Sequence, residues 1–401
     1  MREAILHVVE YTSPGGGPSG YVYNLRQGLE QAGILGNLVD TFALSNSDQR
    51  AYTQGSTDKP LDKVLKFMGS GSALRLLLAR YIALHCNKPL SAEVVNTIAG
   101  YRAVVFHSAR FAFRYLINHP ASEQKVFVML HQPVNFAVEL VDDWQLRYGQ
   151  TQFASKAISK LADLELQTYL KATGVVTTTT PSLNAYFDFD PVMRQTFQDQ
   201  VEKHELPSGV PPLIPTKSQQ LMRQELGIAE DTFVIGFFGR FHPHKGFDLF
   251  IEAAKLAHQQ GKHWLFLTAG AGSIEPPKNL PNLMNLGWRQ DIADIANLVD
   301  VVVIPNRVAN FDLLALEVMS LSKPIIASAV GGSLYLASTS SGVQLFQELT
   351  PEELFANIGT LDQEKAAYYG QINQTVYQQM YNPEAFINRH INFAKQALGS
   401  N

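Results

Sequence analysis

The sequence predicts an α/β protein with two domains, each a parallel sheet with helices on both faces. Three observations support this prediction. Short apolar runs typical of buried strands alternate with helical patterns along the chain. Its 401 residues exceed what one ordinary hydrophobic core holds. The segment Ser208–Pro215, rich in proline and glycine, separates the two halves as a linker would.

The strands follow in order along each half. In the first half the apolar runs predict strands at Ala4–Val9, Leu38–Phe42, Ala103–Phe106, Val126–Leu130 and Gly174–Thr178. The second half repeats the alternation with runs that begin at Phe233, Trp264 and Val301. Near the end, Asn382 and Pro383 predict a helix start, with Asn as N-cap and Pro at the first helical position.

Composition excludes several classes of protein. With 46% hydrophobic and 17% charged residues the chain is globular, and its net charge of −4 argues against general nucleic-acid binding. Cys86 is the single cysteine, which excludes an internal disulfide and a cysteine-based metal cluster. The first residues lack the apolar core of a signal peptide, and no apolar run is long enough for a membrane helix. We therefore expect a cytoplasmic protein.

The segment Phe237–Gly246 is the most informative in the chain. It follows a buried-strand pattern and places two permanent cations, Arg240 and Lys245, just before a helical pattern that starts at Phe247. Ligands of open α/β sheets sit outside the carboxyl ends of the strands, and helix N-termini favour anions. Two interpretations stay open from this segment alone: a diphosphate site, and two solvated loop charges.

Later motifs favour the first interpretation. Ala269–Gly272 follows the next strand, and the strand at Val301 leads to a segment that runs from Ala309 to Ser320. Val330–Ser333 then follows a further apolar run. This order of motifs resembles the nucleotide-sugar half of the retaining glycosyltransferase family four, closely over about 232–343 and loosely elsewhere.

The resemblance implies the GT-B fold: two Rossmann-like domains that face each other across a cleft. The expected acceptor-binding domain is 1–210, joined by a crossover helix in 382–401. The expected nucleotide-sugar-binding domain is 211–381. The resemblance implies these donor-binding residues: Gly16, Gly17, Gly239, Gly270, Gly272, Arg289, Asn310, Phe311, Asp312, Leu313 and Glu317.

The glycine-rich loop Gly15–Gly20 allows another interpretation. It satisfies G-x-G-x-x-G, and Asp40 lies 20 residues further on, as in a dinucleotide fingerprint. Four residues, however, separate the strand from the first glycine, and Pro18 lacks the N–H that a pyrophosphate cradle uses. The resemblance instead implies that Gly16 and Gly17 let the backbone approach the transferred sugar. A plain turn is the remaining alternative.

Two histidines end strand-like runs and are expected at the carboxyl edge of the sheet. His131, in Leu-His-Gln-Pro, resembles the family histidine that touches the donor sugar, so it is the catalytic candidate beside Arg240 and Lys245. His107 is a weaker candidate, and a packed or capping histidine is the alternative for both. His242 and His244 are interpreted as loop-surface residues, and no metal is expected.

One departure from the family lies after the third strand of the second half. The family pattern Glu-x-Phe-Gly-x-x-x-x-Glu keeps its second glutamate as Glu317, which would accept hydrogen bonds from ribose hydroxyls. The first glutamate is replaced by Ala309 and the glycine by Asp312. Asp312 would either bind a hydroxyl of the transferred sugar or place a negative charge beside the phosphates, and Asn310 is another candidate.

The resemblance implies a retaining, metal-independent glycosyltransferase. It would move a sugar from a nucleotide diphosphate sugar, such as a UDP- or GDP-sugar, to a glycan, glycolipid or glycoprotein acceptor in polysaccharide or cell-envelope biosynthesis. No bound cofactor is expected, because the nucleotide sugar is a substrate. The alternative is a non-catalytic, glycosyltransferase-like subunit that keeps the fold, which the two substitutions favour.

The segment 59–114 is locally basic. It holds nine Lys and Arg against two acidic residues, and its first part interleaves these cations with apolar side chains. Two interpretations stay open: peripheral contact with an anionic membrane surface, at the inner face of the plasma membrane, and core helices with ordinary solvated faces.

Overall fold

The computed structural model describes residues 1–15, 17–44, 59–119 and 123–399, and these form two compact units. Unit 1 consists of the described residues of Met1–Thr178, Leu183–Leu206 and Ile387–Asn401. Unit 2 consists of Thr179–Ser182 and Pro207–Phe386. The assignment of 1–210 to the acceptor and of 211–381 to the donor stays a prediction.

Unit 1 is built on a six-stranded parallel sheet within the described residues. Its strands are β1 Arg2–Val9, β2 Val39–Ala43, β3 Tyr101–Phe106, β4 Lys125–Leu130, β5 Gly174–Thr177 and β6 Lys203–Glu205. The five strands predicted in this half are confirmed to within two residues at each end. The short strand β6 was not predicted. Its α-helices are Gly17–Gln31, Lys59–Phe67, Ser70–Tyr81, Ala92–Ala99, Ala109–Asn118, Phe136–Tyr148, Phe153–Lys171 and Pro191–Gln200, with a π-helical turn at Ile82–Cys86.

Unit 2 is built on a second six-stranded parallel sheet. Its strands are β7 Phe233–Phe241, β8 Trp264–Gly272, β9 Leu283–Asn285, β10 Val301–Ile304, β11 Ile325–Ser328 and β12 Val343–Phe346. Its α-helices are Gln219–Glu225, Phe247–Gln259, Ile292–Leu298, Leu313–Ser320, Gly332–Thr339, Pro351–Ile358 and Gln363–Val376, with a 3₁₀ turn at Pro243–Lys245 and a π-helical turn at Tyr377–Tyr381.

In each sheet there is one point at which the order of the strands reverses direction. In unit 1 the order is β2-β1-β3-β4-β5-β6, so the chain turns to opposite sides of the sheet after β1. In unit 2 the order is β12-β11-β10-β7-β8-β9, and the reversal falls between β7 and β10. In open α/β sheets ligands bind at such a switch point, outside the carboxyl ends of the strands. Each sheet therefore has one favoured ligand position.

The central strands are apolar because helices cover both faces of each sheet. In β3, for example, Ala103, Val104, Val105 and Phe106 are fully buried. Within the described residues, no helix combines the length and the apolar character that a membrane crossing requires.

The last helix, Pro383–Leu398, starts as the sequence predicts, and the Asn382 side chain accepts a hydrogen bond from the Ala385 N–H at 2.8 Å. Its residues from Ile387 onward belong to unit 1, where the Ile387 side chain lies against Gly28 of the Gly17–Gln31 helix. The ring of Phe393 packs against Phe127 of β4 with centroids 5.1 Å apart. Unit 1 is thus completed by residues from the far end of the chain, as expected of the crossover helix.

Candidate functional site

The predicted cationic segment lies at the carboxyl end of β7, at the switch point of unit 2. The strand continues through Gly239 and Arg240 to Phe241, so Arg240 belongs to the end of the strand and not to the loop. The Arg240 side chain is exposed and makes no hydrogen bond or ion pair within the described residues. A permanent cation without a partner at this edge is open to an anionic ligand.

Lys245 ends the 3₁₀ turn that joins β7 to the Phe247–Gln259 helix. Gly246 forms the junction with φ of 67°, the left-handed conformation that glycine adopts without strain. A Cβ atom on Gly246 would also overlap the carbonyl oxygen of Pro305, just after β10. Glycine is therefore required here for two reasons, the left-handed backbone and the lack of space for a Cβ atom. The loops after β7 and β10 are in direct contact at this residue.

Arg307 fixes the turn from the side of β10, a role that the sequence did not reveal. Its guanidinium forms two hydrogen bonds with the Asp248 carboxylate, at 2.7 and 2.6 Å, and donates to the carbonyl of Pro243 at 2.5 Å. Its own N–H donates to the carbonyl of His244 at 2.9 Å. The one available signal was a cation that closely follows a buried strand.

Asp312 holds the Lys245 ammonium. Lys245 Nζ lies 2.7 Å from Asp312 Oδ2, and Asn306 Nδ2 donates to the same oxygen at 3.0 Å. The other carboxylate oxygen caps the Leu313–Ser320 helix by accepting from the Leu314 N–H at 3.3 Å. Asp312 therefore lies beside the position predicted for the phosphates. Its carboxylate is already paired with Lys245, one of the two cations predicted to bind them.

Burial opposes ionisation of Asp312, but the charge of Lys245 and the hydrogen bonds to its carboxylate hold its pKa below the ordinary value. The group is thus an anion at neutral pH. A charge beside the phosphates, one of the two interpretations of this substitution, stays a prediction. A contact with a sugar hydroxyl stays open.

Glu317 lies one turn further along the same helix and is half-buried. Its carboxylate has no hydrogen-bond or ion-pair partner in the part of the chain that the structure describes. Burial raises the pKa of Glu317 to about 7, and the negative charge of Asp312 adds to the rise. An unpartnered carboxylate of this kind can accept hydrogen bonds from ligand hydroxyls.

The remaining predicted donor residues surround these loops. Gly239 and Gly270 pair across β7 and β8, and a Cβ on Gly270 would overlap the Gly239 carbonyl oxygen. Gly272 is also in β8, so the motif predicted as a loop is the end of a strand. Arg289 is exposed and forms an ion pair with Asp291, with two N–O distances of 2.8 and 2.6 Å.

Three other predicted residues follow β10, two in the loop and one at the start of the next helix. The carbonyl of Asn310 accepts from the Gly332 N–H at 2.7 Å and from the Ser182 hydroxyl at 2.7 Å. Phe311 packs its ring against Tyr335, with centroids 6.3 Å apart. Leu313 is the first residue of the helix that carries Glu317. The backbone of this loop is therefore anchored on both sides.

In unit 1 the predicted histidines form a chain. His107 Nε2 lies 2.9 Å from Nδ1 of His7, and His107 Nδ1 lies 2.8 Å from Nε2 of His131. His7 was not predicted, because it lies inside β1 and not at its end. Of the predicted loop glycines, Gly17 begins the first helix with φ of 73°, and Gly16 lies outside the described residues.

A cavity of about 260 Å³ opens at the switch point of unit 1, between the ends of β1 and β3. Glu10 and Arg110 form an ion pair across it at 3.3 Å, with both side chains only 15% exposed. Apolar side chains that include Phe113, Phe136 and Leu164 line much of the remainder. Burial raises the pKa of Glu10, although the Arg110 charge opposes the rise.

Glu165 also lines this cavity. Its two carboxylate oxygens accept from the N–H groups of Phe136 and Ala137, at 3.2 and 3.1 Å, and so cap the Phe136–Tyr148 helix. Burial raises its pKa to about 7 despite these hydrogen bonds. This contact gives Glu165 a structural role.

Among the described residues, no group of three or more His, Cys, Asp or Glu side chains is arranged to hold a metal ion. His242 Nδ1 accepts from the His244 N–H at 3.2 Å, so this histidine caps its own turn. Metal independence itself stays a prediction.

Part of the sequence of unit 2 matches a known protein family. Residues 232–363, which contain the loops after β7 and β10, match the family model of the group 1 glycosyl transferases. This segment, which is less than half of the chain, is therefore similar in sequence to the group 1 glycosyl transferases. The D-inositol 3-phosphate glycosyltransferase of Geodermatophilus obscurus is 34% identical over an alignment of 134 residues, and the match covers 27% of this chain and 29% of that protein. The matched segment thus spans less than a third of this relative.

Two solved structures resemble the whole chain. The Anabaena HepE protein in complex with UDP has a TM-score of 0.62 at 18% identity, over 98% of this chain and 100% of that one. The sucrose-phosphate synthase of Thermosynechococcus elongatus has a TM-score of 0.63 at 18% identity, over 100% of both chains. At this level of identity the likeness establishes the fold, and the predicted GT-B class is confirmed.

Proposed function

We propose that this protein is a retaining glycosyltransferase that takes a sugar from a UDP-sugar. The observation that carries the proposal is the switch point of unit 2, where Arg240 ends β7 and Glu317 lies on the helix after the adjacent β10, both without a partner among the described residues. The family match covers both loops. The Anabaena HepE protein has been solved with UDP and with UDP-glucose, which supports a uridine donor.

The donor would be held by charge and by hydroxyl recognition. Arg240 and Lys245, together with the start of the Phe247–Gln259 helix, would bind the diphosphate. Glu317 would accept hydrogen bonds from the ribose hydroxyls. Diphosphate is also the leaving group, so the same cations would stabilise the charge that develops in the transition state. Family members are thought to deliver the acceptor on the leaving-group face, so the leaving phosphate can take the acceptor proton.

In unit 1, we propose that the cavity at the end of β1 receives the acceptor. Its apolar wall and its single charged pair, Glu10 and Arg110, suit an acceptor with an apolar portion beside polar groups. His131, at the end of β4, would contact the transferred sugar, and Gly16 and Gly17 would allow close approach of the backbone. The acceptor would be a glycan, a glycolipid or a glycoprotein, in polysaccharide or cell-envelope biosynthesis.

Contact with an anionic membrane from the cytoplasm is part of the same proposal. On the Lys59–Phe67 helix, Phe67 is 94% exposed and Val64 is 54% exposed, beside the exposed Lys63 and Lys66. If this face binds the membrane, the protein should sediment with phosphatidylglycerol vesicles and not with phosphatidylcholine vesicles. Phe67→Ser should remove most of that binding and leave the protein folded, and equal sedimentation with both lipids would contradict a charge-based contact.

Not every cation of the basic segment 59–114 faces outward. Arg114 is buried and donates to the carbonyls of Lys88 and Pro89 at 2.5 and 2.7 Å, and Arg110 is paired with Glu10. The membrane-facing charge is therefore smaller than the sequence count indicates.

A second candidate is a non-catalytic relative that binds a nucleotide. One observation favours it. Lys245, one of the predicted catalytic cations, is already paired with Asp312, which stands where the family has glycine. Ala309 moreover cannot supply the contact of the missing glutamate. Nucleotide binding without hydrolysis of, or transfer from, any nucleotide sugar would place this candidate first.

The deciding experiment is a screen of nucleotide sugars for hydrolysis and for thermal stabilisation, with bare nucleotides as controls. It is repeated with Arg240→Ala, Lys245→Ala and a matched control, Lys255→Ala, which removes a half-buried lysine of unit 2 that pairs with Glu252. Loss of one phosphate contact should slow turnover by about 2–4 kcal/mol in barrier height, by analogy with an oxyanion donor. Full turnover in either loop variant would contradict the donor site.

A further inference from the structure

The histidine chain of unit 1 links the interior of the sheet to its carboxyl edge. His7 lies within β1, His107 directly after β3 and His131 directly after β4. Since β1, β3 and β4 are neighbours in the sheet, the three rings lie side by side. His7 is fully buried, His107 is 4% exposed, and His131 is half-buried.

All three rings are neutral at neutral pH. Burial lowers the pKa of His7 and of His131 to about 3, and it lowers the pKa of His107 well below the ordinary value. A neutral imidazole has one N–H and one nitrogen lone pair. Each of the two N–N contacts, at 2.9 and 2.8 Å, can therefore contain one proton, and both hydrogen bonds must run in the same direction.

His7, at the buried end of the histidine chain, decides the direction of the two hydrogen bonds. Nε2 of His7 is buried and has no hydrogen-bond partner in the described residues. If the bonds ran from His131 toward His7, this nitrogen would carry an unpaired N–H. If they run from His7 toward His131, it carries a lone pair. Orphaned buried N–H groups are rarer in proteins than under-satisfied acceptors, so the second direction is favoured.

This direction fixes the proton on His131. His7 Nδ1–H donates to His107 Nε2, and His107 Nδ1–H donates to His131 Nε2. Because Nε2 of His131 accepts, its single proton must be on Nδ1. That nitrogen makes no hydrogen bond within the described residues, so its N–H is available to a ligand.

We propose that His7 and His107 are positioning residues that hold His131 as a neutral Nδ1–H donor to an oxygen of the transferred sugar. The proposal rests on the proposed function only for the identity of the ligand. It predicts a recognition rule: the sugar must present a hydrogen-bond acceptor, such as a hydroxyl oxygen, to this nitrogen.

The test compares the whole protein with four variants. His7→Leu removes the first donor, whereas His7→Asn keeps an N–H group near the position of Nδ1. His204→Leu is the matched control, because His204 is in β6 of the same unit and packs on Phe127 outside the chain of histidines. Nitrogen-15 NMR of the imidazole rings at pH 7 reports which nitrogen of His131 carries the proton, and His131→Gln assigns the signal.

We expect the Nδ1–H form of His131 in the unaltered protein, in His7→Asn and in His204→Leu, and a mixture of tautomers in His7→Leu. Affinity for UDP-glucose should fall about threefold to tenfold in His7→Leu, the value of one neutral hydrogen bond, while affinity for UDP stays unchanged. An Nε2–H form or an imidazolium at His131 in the unaltered protein would overturn the proposal. If the protein binds neither UDP nor UDP-glucose, the proposed function and the sugar contact fail, while the NMR signal still decides whether the tautomer is fixed.

Discussion

Asp312→Asn should make the protein bind UDP more tightly. The change removes the negative charge next to Lys245 but leaves the shape of the side chain and its capacity to cap the Leu313–Ser320 helix, because Asn is as good an N-cap as Asp. At present the ammonium lies 2.7 Å from the carboxylate. A diphosphate that binds Lys245 must compete with this internal anion, and in the variant it would not.

The size of the effect follows from the exposure of the pair. Two opposite charges about 4 Å apart attract by about 1 kcal/mol in water and about 4 kcal/mol at an effective dielectric constant of 20. The Lys245 and Asp312 side chains are 34% and 17% exposed, so solvent screens part of this attraction. We expect about 1–2 kcal/mol, which corresponds to a dissociation constant about 5- to 30-fold lower.

Calorimetric titration with UDP and with UDP-glucose measures the change and separates the two roles of Asp312. If the residue also binds the transferred sugar, UDP-glucose should gain less affinity than UDP or should lose affinity. The matched control is Glu225→Gln, which removes a carboxylate of unit 2 that pairs with Lys217 at 2.6 Å. Unchanged or weaker UDP binding by Asp312→Asn would refute competition at Lys245.

Three further predictions concern pH and metals. Affinity for UDP-glucose should rise as pH rises through about 7, where Glu317 ionises, and Glu317→Gln should abolish this dependence in pH-resolved titrations. The folded-state pKa values of His7 and His131, about 3, lie below the ordinary 6.5, so their contribution to stability is present above pH 6.5 and is lost as pH falls toward 3. Chemical denaturation at pH 7 and pH 5 should show a loss of about 1.4 kcal/mol per histidine per pH unit below 6.5, and a smaller loss in His131→Gln. Turnover should survive EDTA, and activity that depends on added Mg²⁺ or Mn²⁺ would contradict a cation-only site.

The sequence predicts the α/β architecture well because buried parallel strands are nearly continuous apolar runs. It is less accurate about where a strand stops. β7 and β8 continue through Gly239 and Gly270, since these residues pair with each other across the sheet. The short strand β6 has a polar sequence, Lys-His-Glu, and carries no apolar signal.

The predicted site residues follow the carboxyl ends of strands, and this rule brings Lys245 and Asp312 to neighbouring loops. Their ion pair joins positions 67 residues apart and depends on the order of the strands, which local sequence does not encode. The same limit explains why Arg307 and His7 were missed. His7 becomes part of the histidine chain only through the packing of β1 against β3.

The contribution of the last helix to unit 1 has a consequence for synthesis of the chain on the ribosome. His390 and Phe393 pack on Tyr21 and on Phe127, within a unit whose sheet has emerged by residue 205. All of unit 2 is translated before these residues appear. The nascent first unit therefore waits with an uncovered apolar face on the Gly17–Gln31 helix until the residues from 387 onward have been translated. Over that interval the face is a target for chaperones, and a message truncated before codon 387 yields a product that cannot bury it.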